Sequence, residues 1–131
     1  MAIVRKTFLP GEDLFIEGQQ GTEAYLIRSG HVAIWRTDNG TRVNIAVRAE
    51  GEVVGEMALI DDAVRSATVT AESRVEAETI TRQQLLDLVD KAEEPLSRIL
   101  HQLFESLRAA NDLISAYASQ ISRITPGAKH S

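Results

Sequence analysis

The chain has 131 residues, enough for one domain with its own core and hardly for two. Hydrophobic residues make up 44 % and charged residues 25 %, an ordinary globular balance, but aromatics are only 5 %, so the core is expected to be mainly aliphatic. A net charge of −5 argues against a chain-wide grip on nucleic acid, and the lack of cysteine excludes disulfides, thiolate catalysis and cysteine-based zinc sites.

Arg5 and Lys6 interrupt the apolar residues between Met1 and Phe8, so nothing there resembles a signal peptide. No stretch approaches the roughly 18 apolar residues needed to span a bilayer. A cytoplasmic location is the expectation.

The first part reads as short strands separated by turns. Apolar runs occur at Leu14-Phe15-Ile16, Ala24 to Ile27, Val32 to Trp35, Val43 to Val47, Ala67-Thr68-Val69 and Val75 to Ile80. Pro10-Gly11, Gly18 to Gly21, Ser29-Gly30, Asp38-Asn39-Gly40 and Glu50-Gly51 lie between them. Asn39-Gly40 between two apolar runs is a hairpin signal. Many short strands spaced this way predict a β-roll, a jelly roll or a sandwich.

Gly51 to Val69, G-E-V-V-G-E-M-A-L-I-D-D-A-V-R-S-A-T-V, carries the chemistry. Val53-Val54 reads as a strand end, and Gly55-Glu56-Met57-Ala58-Leu59 as a short helical turn whose first N–H groups attract anions. Arg65 follows Glu56 by nine residues, after the polar corner Asp61-Asp62. Arginine suits a phosphodiester because its fork gives two charge-assisted hydrogen bonds. Glu56 repels phosphate, so its expected work is to accept from a sugar hydroxyl, while Ser66 adds a donor. On these two residues alone, a plain Glu56–Arg65 ion pair that closes the loop is favoured over a ligand site.

Past Thr81 the period changes. Thr81 is placed as an N-cap with Gln84 at the capping-box position, and Leu85, Leu86, Leu88 and Val89 give the helix an apolar face. Pro95 suits the first turn of a new helix, which runs to about Ile124. Leu96, Leu100, Leu103, Leu107, Ala110, Ile114, Tyr117, Ile121 and Ile124 recur alternately four and three residues apart. That heptad seam predicts a homodimer through the 96–124 helix, favoured over simple coverage of the domain's own core. Ile99, Phe104 and Leu113 lie off the seam and can pack toward the β-domain. The expected organisation is a β-roll over 1–81, C-terminal helices over 82–124 for lid and dimerisation, and a disordered tail over 125–131.

Gly51, Gly55, Glu56, Ala58, Leu59, Arg65, Ser66, Ala67 and Val69 resemble the phosphate-binding cassette of the cyclic nucleotide-binding domain family, roughly G-D-x-F-G-E-x-A-L, a short gap, then R-[S/T/A]-A-x-V. This is the domain of catabolite activator proteins, protein kinase regulatory subunits and cyclic-nucleotide-gated channels. Pro10-Gly11-Glu12, Ile16-Glu17-Gly18, Ala24 to Ile27 and Ser29-Gly30-x-Val32 match upstream, so the resemblance covers almost the whole chain. Glu52 replaces the usual aspartate and Val54 the usual phenylalanine, which removes no phosphate or ribose ligand.

The resemblance implies a mainly β fold. It is a double-stranded β-helix, a jelly-roll-like β-roll of about eight strands, with a short cassette helix and two C-terminal helices. It implies that Glu56 binds the ribose 2′-hydroxyl and Arg65 the phosphate. Gly55, Met57, Ala58, Ser66 and Ala67 then complete the cradle. The base contact is expected from the long helix, where Asn111 can read the adenine amino edge or can equally be a solvated helix residue. Ser66 is compatible with cAMP or cGMP, and cAMP is favoured. Binding is expected to tighten the cassette and move the C-terminal helices.

A sensor rather than an enzyme is therefore expected. A metal-dependent cupin-type enzyme would need a histidine cluster, whereas His31, His101 and His130 are scattered, and no Ser–His–Asp arrangement stands out. The runner-up is the sensor half of a transcription regulator or other effector. No recognition helix follows the long helix and no helices precede the roll, so the chain is expected to be a small sensor or a piece of a larger one.

Overall fold

The computed structural model describes residues 3–61 and 64–124. Eight strands alternate with tight turns: β1 Val4–Phe8, β2 Asp13–Phe15, β3 Glu23–Ser29, β4 His31–Asp38, β5 Thr41–Ala49, β6 Val53–Val54, β7 Thr68–Ala71 and β8 Val75–Thr81. They form two four-stranded antiparallel sheets, β1-β8-β3-β6 and β2-β7-β4-β5. A 3-10 turn, Glu56–Leu59, separates β6 from β7. Two helices follow, α1 Arg82–Lys91 and the longer α2 Leu96–Ile124. The mainly β roll read from the turn spacing is the observed architecture.

Alternation builds the core. Val75 and Ala77 of β8 point inward with Ile27 of β3, and Val32, Val69, Ala71 and Leu14 meet them from the other sheet. The cluster is aliphatic except for Tyr25, against which Phe8 and Phe15 pack with ring centroids 6.0 Å away in each case. The β4–β5 hairpin turns at Asn39 and Gly40, both with positive φ (52° and 77°), the geometry that matches the twist of the flanking strands.

β1 escaped the sequence reading. It is an edge strand, and four of its five residues are exposed, so it carries no inward alternation. Its ladder to β8 and the packing of Phe8 on Tyr25 hold it, and polar pairs add to them: Thr7 donates to Glu76 at 2.9 Å and Lys6 to Glu23 at 3.1 Å. Glu76 titrates below the usual carboxylate range because Thr7 and then Arg74 bond to it.

The chain divides into two compact units between Leu88 and Val89. Within the first, the capping box at α1 forms as expected: Gln84 N–H donates to Thr81 Oγ1 at 3.1 Å, and Thr81 N–H to Gln84 Oε1 at 2.9 Å. In the second, Leu96, Leu103, Leu107 and Tyr117 of α2 are all more than half exposed. Ile99 and Leu113 are exposed as well, and Phe104 is half-buried. The side chains of Ile114, Ile121 and Ile124, together with residues 125–131, lie outside the described residues. Among the described residues, no helix is long and apolar enough to cross a membrane.

Candidate functional site

Gly55 ends β6 with φ 75°, a left-handed conformation open to glycine without a Cβ penalty, and so turns the chain into Glu56–Leu59. The turn is tight: Ala58 N–H donates to Gly55 O at 3.1 Å and Ile60 N–H to Met57 O at 3.0 Å. Glu56 and Met57 open it, where N–H groups find no partner within the turn. Asp62 and Ala63 lie outside the described residues, and the chain returns at Val64, which bridges Gln20.

Arg65 is anchored at both backbone ends by the Gly18–Gly21 loop. Its N–H donates to Gln19 O at 2.7 Å, and its carbonyl accepts from Gly18 N–H at 2.8 Å. Its side chain then runs inward and is 7 % exposed. Nη2 donates to Glu23 O at 2.7 Å and Nη1 to Gly55 O at 3.4 Å. The guanidinium lies 3.9 Å from the centroid of the Phe15 ring. The Glu56–Arg65 ion pair does not form; Arg65 is solvated by carbonyls, and its Nε is buried without a hydrogen-bond partner among the described residues.

Burial pushes the Arg65 pKa down, opposed by Tyr25 and Glu23, but a guanidinium stays charged across the working range. Tyr25 is pushed well up, first by burial and then by donating to Glu23 Oε1 at 2.8 Å, so it stays a neutral phenol.

A cavity of about 170 Å³ opens beside this guanidinium. Gly55, Glu56, Met57, Ala58, Arg65, Ser66 and Ala67 all line it, whereas Gly51 and Leu59 of the same segment do not. Asn111 is half-buried on α2, in the second unit.

Three contributors come from outside the Gly51 to Val69 segment and carry no signal in the sequence. Phe15 and Ile34 supply apolar wall from β2 and β4, and Arg48 brings a second guanidinium from β5. Phe15 reads as an ordinary strand residue, and Arg48 falls just past the Val43 to Val47 run. Arg48 donates from Nη1 to Val47 O at 3.0 Å and its Nε lies 3.7 Å from Glu52. The chemistry on offer is a buried cation, an exposed carboxylate and an apolar wall, which suits an anion joined to a hydroxyl-bearing ring.

Residues 5–92, more than half of the chain, match the family model of the cyclic nucleotide-binding domain. The chain belongs to the cyclic nucleotide-binding domain family. The cyclic AMP receptor protein of Thermus thermophilus is 31 % identical over 115 residues, covering 85 % of this chain and 53 % of that protein. The cGMP-dependent protein kinase of Eimeria tenella is 32 % identical over 125 residues, covering 94 % of this chain and 12 % of the kinase.

Among solved structures, the EAL enzyme Bd1971 in its half-site-occupied form superposes with a TM-score of 0.79 at 34 % identity, over 84 % of this chain and 99 % of that one. The Thermus thermophilus catabolite activator protein gives 0.67 at 29 % identity, over 88 % and 55 %. This cyclic nucleotide-binding domain thus spans about half or less of the length of these two curated relatives.

Proposed function

We propose that this domain binds a cyclic purine nucleotide in the Arg65 cavity and acts as a sensor, not a catalyst. The observation that carries the reading is Arg65: a buried cation on a cavity, contacted by carbonyls rather than a carboxylate, with its Nε unpartnered among the described residues. A buried donor without an acceptor costs about 1–3 kcal/mol. A phosphate oxygen removes that cost and supplies the missing countercharge.

Glu56 then accepts from the ribose 2′-hydroxyl, and Gly55, Met57, Ser66 and Ala67 furnish the rest of the cradle. Ala58 joins it only by exchanging its bond to Gly55 O. Cyclic AMP is the proposed ligand, with Asn111 reading the adenine amino edge. Arg48 favours a second reading, cGMP. Its Nη2 has no acceptor among the described residues, and guanine offers the O6 acceptor where adenine presents an amino group. Similar structures of the EAL enzyme Bd1971 exist in a cAMP-bound and a cGMP-bound form, which supports keeping both nucleotides in the test.

Output is proposed to pass to the C-terminal helices, which serve as lid and as dimer seam through the exposed Leu96, Leu103, Leu107 and Tyr117. The effector it controls is proposed to be a transcription regulator or another module. Calorimetric titration with cAMP, cGMP and a cyclic dinucleotide tests the reading: saturable binding of a mononucleotide supports it, and no heat from either refutes it.

A further inference from the structure

We infer that Gly21 and Phe15 are positioning residues that mould the Arg65 guanidinium into its binding pose before any ligand arrives. The inference rests on Arg65 being the anion-binding group. Gly21 is not required by its backbone, because its φ lies outside the left-handed region. It is required by space: a Cβ there would lie 2.3 Å from Arg65 Nε, 2.4 Å from Cζ and 2.8 Å from Cδ. These distances place the missing methyl directly against the Nε–Cζ end of the side chain.

The loop that carries Gly21 is tied to the Arg65 backbone. Gly18 and Gln19, in the same loop as Gly21, hold the Arg65 carbonyl and N–H at 2.8 and 2.7 Å. The atoms that a side chain at 21 meets first are those of the Arg65 side chain.

Phe15 supplies the other restraint, 3.9 Å from Cζ. The Phe15 ring stacks on Tyr25, Tyr25 donates to the Glu23 carboxylate, and the Glu23 carbonyl accepts from Arg65 Nη2 at 2.7 Å. The four residues close a ring of contacts around one cation. A cation held this way loses little freedom on binding, so the contact with the anion is gained at small entropic cost.

The test is a double-mutant cycle on the full chain: wild type, Gly21→Ala, Arg65→Ala and the double variant, with Phe15→Leu alongside. Two quantities are read, cyclic nucleotide affinity by calorimetry and the melting temperature without ligand. Gly21→Ala is expected to remain folded and to lose at least about tenfold in affinity, with Phe15→Leu losing in the same direction. Alanine at 21 is expected to lower the melting temperature when Arg65 is present and to have little effect in the Arg65→Ala background.

Wild-type affinity in Gly21→Ala overturns the inference. So does an equal melting shift in both backgrounds, which would make Gly21 a loop residue with no tie to the guanidinium. If the wild-type chain binds neither cAMP nor cGMP, the functional reading fails, and the melting cycle still decides whether Gly21 and Arg65 are coupled.

Discussion

Arg82, the first residue of α1, donates from Nη2 to the Ala58 carbonyl at 2.7 Å and to the Asp61 carbonyl at 2.5 Å. The helix start is thus bonded to the far end of the cassette turn. Its backbone N–H also reaches Thr22 O at 3.3 Å, next to the Glu23 carbonyl that accepts from Arg65. Two short routes lead from the cavity to α1.

A ligand shifts a structure only by binding one arrangement better than another. A cassette turn that tightens on phosphate therefore pulls on Arg82. Arg82→Ala is predicted to keep nucleotide affinity within a few-fold and to abolish the ligand-dependent change in α1 hydrogen exchange. An unchanged α1 response in that variant would remove Arg82 from the route.

Glu56 is exposed at the cavity and makes no ion pair with Arg65, so its carboxylate is free to accept from a ribose. A hydrogen bond to a charged group contributes about 1.5–3 kcal/mol. Wild type is predicted to bind 2′-deoxy-cAMP about 10- to 150-fold more weakly than cAMP. Glu56→Ala should bind the two equally by calorimetry. A persistent difference in that variant would give the hydroxyl another partner.

Arg48 and the proposed base contact Asn111 differ in what they can offer a base. Arg48 is a pure donor and suits guanine O6 and N7, whereas an asparagine amide can both give and take. Arg48→Leu is predicted to shift the affinity ratio toward cAMP by about tenfold, the worth of one such hydrogen bond. An unchanged ratio in competition binding would leave base choice to another residue.

The exposed leucines of α2 are the proposed dimer seam. Light scattering at about 100 μM is predicted to give twice the chain mass, and Leu103→Glu with Leu107→Glu to give the monomer. A wild-type monomer at that concentration would reject the seam as a strong coiled coil.

The roll was legible because its central strands alternate and its turns carry glycine and asparagine. β3, β4, β5 and β8 each begin and end within a few residues of their apolar runs. β1 was not, because an edge strand with four of its five residues exposed has no inward alternation to read. At the site, Glu56, Arg65 and the cassette glycines stand out by type and spacing.

Their supports do not stand out in the sequence. Phe15 lies fifty positions from Arg65 and Arg48 lies seventeen, and only folding brings them to one cavity. Gly21 read as one more turn glycine, whereas its importance is the methyl group it lacks. For Asn111, the helical repeat gives a face of α2 but no distance from the cavity.

The most direct test of the account is one calorimetric comparison, wild type against Arg65→Ala, titrated with cAMP and cGMP. Removing the guanidinium leaves a buried phosphate without its countercharge. The predicted loss is about 2–4 kcal/mol, or about 30- to 1000-fold in affinity, for whichever nucleotide binds. Equal affinity of the two proteins would contradict the assignment of Arg65 as the phosphate ligand.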